Sequence, residues 1–326
     1  MEKTINRQNS RLMEVLRRYG ISIAFITPYL LFFIFFTVVP MIMGLAISFF
    51  DYNPYNLDAT QFSGFKNYID IFISGTPINR LFWPAFGQTM LFDIIAVPCL
   101  TIVPLMLAIL INKKPPFYKV FRAILYLPSV TSITIVGIMF GSIFSSNESG
   151  FINALFHSNI AFLDKEISRW IIILFVSIWW QTGTNFVILS AALRDVPKSL
   201  YEACEMDGGG KVVQFFKVTI PNIKRQLKLC LFTTIIGYMA LYGQPYVLFG
   251  LTNQPTLLDP QTPMIMIQML LSETSFAART GAISAIAVFF GLLTMLVSAI
   301  QSIFTKDRKG GTVREKQFKA LATIKK

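Results

Sequence analysis

Asp93 is the only carboxylate set deep inside a long apolar run, and His157 is the only histidine in 326 residues. A lone buried acid can hold a proton or an ion, but a relay needs several titrating groups in sequence, and no other apolar run offers one. Asp93 is therefore expected to hydrogen-bond within the structure or toward a lumen. Cys99, Cys204 and Cys230 lie in or beside apolar runs without metal-ligand or disulfide spacing. Gly210-Lys211 ends a glycine triplet, yet a phosphate-binding loop needs glycine where Glu205 stands and Ser or Thr where Val212 stands. Covalent chemistry, a metal site and nucleotide binding are thus not expected of this chain. What remains is recognition chemistry. Gln181 and Asn185 lie four apart, on one helical face; Tyr238, Tyr242, Gln244 and Tyr246 follow within one run, and Ser284 sits in the last. Amides, hydroxyls and aromatic faces in otherwise apolar surroundings suit the walls of a pathway for a polar solute.

The elements that hold these groups are membrane spans. Hydrophobic residues make up 54% of the chain and charged ones 14%, a membrane composition rather than a soluble one. Apolar runs at about 20–50, 84–111, 121–144, 169–193, 229–249 and 281–304 predict an all-α protein of six transmembrane helices. Pro28 and Pro40 are expected to kink the first span, and Pro98 and Pro104 to break the second. The first run follows a basic stretch and is long enough to stay in the bilayer rather than be cleaved. Met264 to Leu271 is too short to cross and is expected to lie at the interface or cap a cavity. In the third run Gly137 and Gly141 form a small-xxx-small pair, read as packing within one subunit rather than as a dimer motif.

Six spans put both termini on one face. Residues 1–19 and 305–326 are basic tails, and with 113–122 and 194–228 on that same face, all but five of the 29 Lys and Arg fall there. The exceptions are Lys66, Arg80, Lys165, Arg169 and Arg279. That bias assigns the face to the cytoplasm, and it accounts for the net charge of +12 without nucleic acid.

Between the fourth and fifth spans lies a polar, basic island, 198–228. It reads as two short helices with a glycine break: Leu200, Ala203 and Cys204 form a narrow apolar face opposite Tyr201, Glu202 and Glu205; Gly208-Gly209-Gly210 reverses the chain; and Pro221 punctuates the second piece. Such a hairpin, tethered between spans, is shaped to be gripped by a soluble partner. A helix lying on the lipid surface is the alternative, but it has no use for the triple glycine.

The island also resembles a family. Glu202-Ala203-Cys204, three residues, Gly208, nine residues, then Val218-Thr219-Ile220-Pro221 is similar to the Glu-Ala-Ala loop of membrane subunits in binding-protein-dependent ABC importers. Phe62 to Tyr68, Arg122 to Val130, Gly150 to Asn153 and Thr280 to Ala285 resemble segments of the maltose and glycerol-phosphate branch, and the phenylalanine-rich first span resembles the larger of its two permease types. Leu251 to Pro255 departs from the Gly-Gly-Pro turn usual there. The resemblance implies a permease subunit in a prokaryotic cytoplasmic membrane, without catalytic activity, importing a sugar, most simply an oligosaccharide. It implies a heterodimer with a second permease, two ATPase subunits that carry the ATP and Mg, and an external solute-binding protein. Tyr201, Glu202, Ala203, Cys204, Met206, Asp207, Gly208, Gly209 and Gly210 then form the coupling element against the ATPase. From another class, an ion-gradient-driven transporter or channel has Asp93 as its support.

Overall fold

The structure, a computed structural model, describes residues 20–21, 24–146, 148, 150–249, 262–272 and 279–305. Nearly all of both expected cytoplasmic tails, and the Leu251–Pro255 departure, lie outside those residues. The chain divides into two compact units, Met1–Ile73 with Leu271–Val288, and Ser74–Leu270 with Phe289–Lys326.

In the first unit, helix α1 (Ala24–Ile47) is apolar on every side and its most apolar window has no buried residue. Its middle turn, Ile34–Val38, widens to a π-helix that ends two residues before Pro40. Widening of this kind lets a helix run on through a residue that lacks an N–H. A short ladder pairs β1 (Phe50–Asp51) with β2 (Gln61–Phe62), and helix α2 (Lys66–Phe72) follows. Asn67, almost wholly buried, ties the corner by donating to the carbonyls of Ser48 and Phe50, each at 2.9 Å. The Tyr68 and Ser48 hydroxyls share a hydrogen bond of 2.6 Å. Gly281 packs directly on the Phe50 carbonyl and leaves no room for a Cβ. Two segments singled out by resemblance, 62–68 and 280–285, thus contribute to one corner.

The second unit is built on α3 (Pro77–Asn112), α7 (Glu166–Arg194) and the helix here called α9, residues 211–239. Its core runs from Phe92, Ala96 and Ile173 to Leu105, Phe186 and Ile223. The expected break of the second span at Pro98 and Pro104 does not occur: α3 is one helix of 36 residues, starting at Pro77 rather than 84. Pro104 cannot donate to the Leu100 carbonyl one turn back. Asn185 of α7 donates to that carbonyl instead, at 2.9 Å, which is how a neighbouring helix keeps a proline-bearing span intact in an apolar medium.

The third span is also not one rod. Helices α4 (Tyr118–Val130) and α5 (Ile133–Ile143) meet at a bend of 100° at Thr131-Ser132. Both residues are extended there, and Ser132 caps α5 through its hydroxyl. Gly137 of α5 lies against Val247 of the same chain, whereas Gly141 faces open space. Helix α6 (Phe151–Phe156) ends in a loop organised by buried Asn153, which donates to the Ser145 and Ile160 carbonyls and accepts from Ser158 and the Ile160 N–H.

After α8 (Lys198–Met206), α9 runs without interruption from the glycine turn into the bundle. Pro221 does not end it: a π-turn at Phe215–Thr219 precedes the proline by two residues, as in α1, and the helix continues. The expected fifth span, 229–249, is instead divided. Helix α9 stops at Met239, and α10 (Gly243–Phe249) begins after a break at Ala240–Tyr242. Helix α11 (Pro263–Ser272) is the short apolar segment expected, and α12 (Thr280–Thr305) is the last span. Among the described residues four helices are long and apolar enough to cross a membrane, five if the bent α4–α5 pair counts as one span, where six spans are expected of the whole chain.

Candidate functional site: a cleft between two helix breaks, and the hairpin joined to it

The bend between α4 and α5 and the break between α9 and α10 come together, with Gly243 packed on the Ile133 side chain. Irregular backbone is tolerated at membrane depth only where protein or a cavity satisfies it. Here both freed carbonyls have side-chain donors: Trp180 Nε1 reaches Thr131 O at 3.0 Å, and Thr262 Oγ1 reaches Leu241 O at 2.6 Å. A cleft of about 260 Å³ opens beside these breaks. Its walls are Ile133 of α5, Trp180 and Gln181 of α7, Thr233, Thr234, Gly237 and Tyr238 of α9, Ala240 to Tyr242 of the break, and Gly243 and Gln244 of α10.

Four of the expected pathway residues, Gln181, Tyr238, Tyr242 and Gln244, therefore share one cavity. Tyr246 stacks on Tyr242, with ring centroids 4.9 Å apart and planes 20° from parallel. Asn185 does not line the cleft. It is almost wholly buried, and beyond Leu100 it donates to Thr234 Oγ1 at 3.2 Å, clamping α3, α7 and α9 together. Ser284 is half-buried on α12 within the first unit. Trp180, Thr233 and Thr234 were not among the expected residues. Trp180 adjoins Gln181 in sequence, but its contact with Thr131 spans 49 positions and gives no local signal. No charged side chain lines the cleft among the described residues, so its chemistry is that of amides, hydroxyls and aromatic faces, which bind polyols by hydrogen bonds and ring contacts.

The hairpin of α8 and the start of α9 is tightly closed. Gly208 adopts φ +79, a left-handed conformation that costs a side-chain-bearing residue about 1–2 kcal/mol. Around it the Gly209 N–H bonds to Cys204 O at 2.8 Å and the Gly208 N–H to Glu205 O at 2.9 Å, the two bonds of a Schellman cap. A Cβ on Gly209 would meet Cys204 O at 2.7 Å. The face of α8 turned to the protein differs from that expected. Tyr201 and Cys204 pack on the core cluster, and the Tyr201 hydroxyl pairs with Thr219 Oγ1 at 3.0 Å. Leu200 and Ala203 are exposed instead, along with Glu202 and Asp207, and Met206 is 88% exposed. A single aromatic with a polar tip anchors the helix, and its remaining apolar residues are left for another surface.

The chain is similar to known proteins in sequence and in fold. The chain is 28% identical over 301 residues to the probable ABC transporter permease protein YurN of Bacillus subtilis, covering 87% of this chain and 97% of that protein. It is 26% identical over 311 residues to the arabinooligosaccharides transport system permease protein AraP of Halalkalibacterium halodurans, covering 94% of each. Its fold matches a chain of a bacterial alginate ABC transporter, solved in complex with an alginate pentasaccharide-bound periplasmic protein, with a TM-score of 0.74 at 21% identity over 93% of this chain and all of that one. The family profile described as binding-protein-dependent transport system inner membrane component spans residues 100–310, from the third quarter of α3 to just beyond α12 and so across hairpin and cleft alike. This chain is a multi-pass bacterial membrane protein and belongs to that family.

Proposed function

We propose that the chain is the permease subunit of an ATP-driven importer that carries a sugar, most simply an oligosaccharide, across the bacterial cytoplasmic membrane. The single observation that carries this reading is the continuity of α9. The same helix begins at the glycine turn of the hairpin and ends with Thr233, Thr234 and Tyr238 in the wall of the cleft. Lys211 and Tyr238 are 27 positions apart, about 40 Å along a helix axis, so movement of the hairpin is delivered to the cavity wall. Glu202, Ala203, Met206 and Asp207 offer the exposed docking face, Tyr201 and Cys204 fix it to the bundle, and Gly208 to Gly210 set its angle. The partners are two ATPase subunits holding ATP and Mg, a second permease, and an external solute-binding protein. The uncovered α1, apolar all round, provides a surface for lipid or for the second permease. The chain itself performs no catalysis.

The test is reconstitution with the partner subunits. Gly208→Pro or Glu202→Lys is expected to leave membrane insertion intact while uncoupling ATP hydrolysis from sugar uptake. Wild-type coupling in both variants overturns the docking assignment. Uptake by the purified chain alone in liposomes, driven by an ion gradient, overturns the ATP-driven reading itself.

A further inference from the structure

On the side of α8 that carries Tyr201 lies a second cavity, of about 400 Å³. The end of α3, the end of α7 and the hairpin enclose it. Ile109, Leu193 and Phe215 give it an apolar wall. Lys113, just past the end of α3, and Lys211, the first residue of α9, border it together with Asn112. Two ammonium groups from segments 98 positions apart are thus brought to one cavity, and both lysines are exposed at its edge. The other polar groups satisfy one another. The Tyr201 hydroxyl and Thr219 Oγ1 are 3.0 Å apart, and Gln214 Nε2 donates to Gly209 O at 3.4 Å. No Asp or Glu lines the cavity, and neither ammonium group has an ion-pair partner among the described residues.

A concavity with one sign of charge and a low-dielectric wall concentrates ions of the opposite sign. Its depth says which anion fits. Asn112 is the last residue of α3, a helix long and apolar enough to cross a membrane, so the cavity stands where hydrocarbon gives way to headgroups. Lysine stems can run along apolar walls while their ammonium groups stay at that level. We propose that this cavity binds the phosphate headgroup of an anionic phospholipid, whose glycerol and upper acyl chain cover Ile109, Leu193 and Phe215. A free small anion satisfies the lysines but leaves that wall bare, whereas basic pockets at helix ends are suited to lipid headgroups. The bound lipid bridges the end of α3 to the start of α9, so membrane composition bears on where the hairpin sits. Glu202, Ala203, Met206 and Asp207 are exposed on α8 and do not line the cavity, which leaves the docking face free. The proposal goes beyond the import reading and holds for any solute.

The experiment uses the full chain purified in neutral detergent and needs no partner subunit, so its failure is separate from failure of the import reading. Its thermal midpoint is followed during titration with short-chain phosphatidylglycerol, with phosphatidylcholine of the same chain length, and with inorganic phosphate. A saturable rise with phosphatidylglycerol alone is expected. Lys113→Gln and Lys211→Gln are each expected to raise the half-saturating concentration about fivefold, and the double variant about thirtyfold. Lys119→Gln, at an exposed position on α4 that does not line the cavity, is expected to leave it unchanged. Because all three lysines are exposed, these replacements leave the fold intact. Saturation by inorganic phosphate at the concentration that phosphatidylglycerol requires identifies a free anion and overturns the lipid. A flat wild type, an equal response to phosphatidylcholine, or equal shifts in Lys119→Gln and the cavity variants overturns the proposal as well.

Discussion

Asn185 donates to the carbonyl that Pro104 leaves without its helical partner, so the two residues form a matched pair on different helices. Replacing Asn185 by Leu leaves Leu100 O buried and unpaired and is expected to cost about 1–3 kcal/mol. In a Pro104→Ala background the backbone N–H returns to that carbonyl, and the same Asn185→Leu change is expected to cost about 1 kcal/mol less. A double-mutant cycle on the thermal midpoint of the purified complex checks this, and strict additivity refutes the pairing. The sequence placed Asn185 correctly on one face with Gln181, but it did not separate the two roles. Gln181 meets a cavity and Asn185 meets a carbonyl of another helix, and that difference depends on a proline 81 positions earlier. Asn153 is similar: its hydrogen bonds to Ser145, Ser158 and Ile160 tie together the chain on both sides of α6, so Asn153→Ala is expected to destabilise the complex by about 3 kcal/mol, measured in the same assay.

Among the elements, the hairpin was the most legible. Its glycine spacing and polarity are local properties, and Gly208 does take the left-handed conformation that only glycine, or at some cost asparagine, adopts readily. Gly208→Asn is therefore expected to retain most coupled uptake and Gly208→Val to lose most of it, at equal membrane abundance; equal activity of the two refutes the cap as the reason for the glycine. The inward face of α8 was misread because Leu200 is more apolar than Tyr201. Tyrosine, however, buries its ring while its hydroxyl reaches Thr219. The breaks at Thr131-Ser132 and Ala240–Tyr242 were not legible at all. Apolar residues continue on both sides of each, so hydropathy registers one run at either break, even at Thr131-Ser132, where the backbone turns through 100°. What stabilises each break is a donor from a distant element, Trp180 for one and Thr262 for the other, and no window along the sequence contains both partners.

For the molecule as a whole, the decisive connection is α9, which joins the hairpin to the cavity wall. A proline placed midway, Leu227→Pro, interrupts the ladder of hydrogen bonds at a cost of about 3 kcal/mol locally. It is expected to leave the hairpin able to retain the ATPase in co-purification while abolishing sugar-stimulated ATP hydrolysis. Retained stimulation shows that the signal travels by another route. The orientation read from the basic residues belongs to this scale too, and labelling of a cysteine placed at Lys211 from either side of the membrane tests it.

The π-turn at Phe215–Thr219 has one more effect. A helix that admits a single extra residue over one turn rotates everything beyond it by about 100° relative to an uninterrupted one. The azimuth at which the hairpin leaves the membrane is therefore set by that one surplus residue, independently of which side chains α9 presents to the solute. Deleting Phe216 alone would remove the surplus residue, restore ordinary winding and leave the hairpin and the cavity-facing end aligned as before, whereas deleting a residue of α9 beyond the π-turn would swing the hairpin by about a quarter-turn.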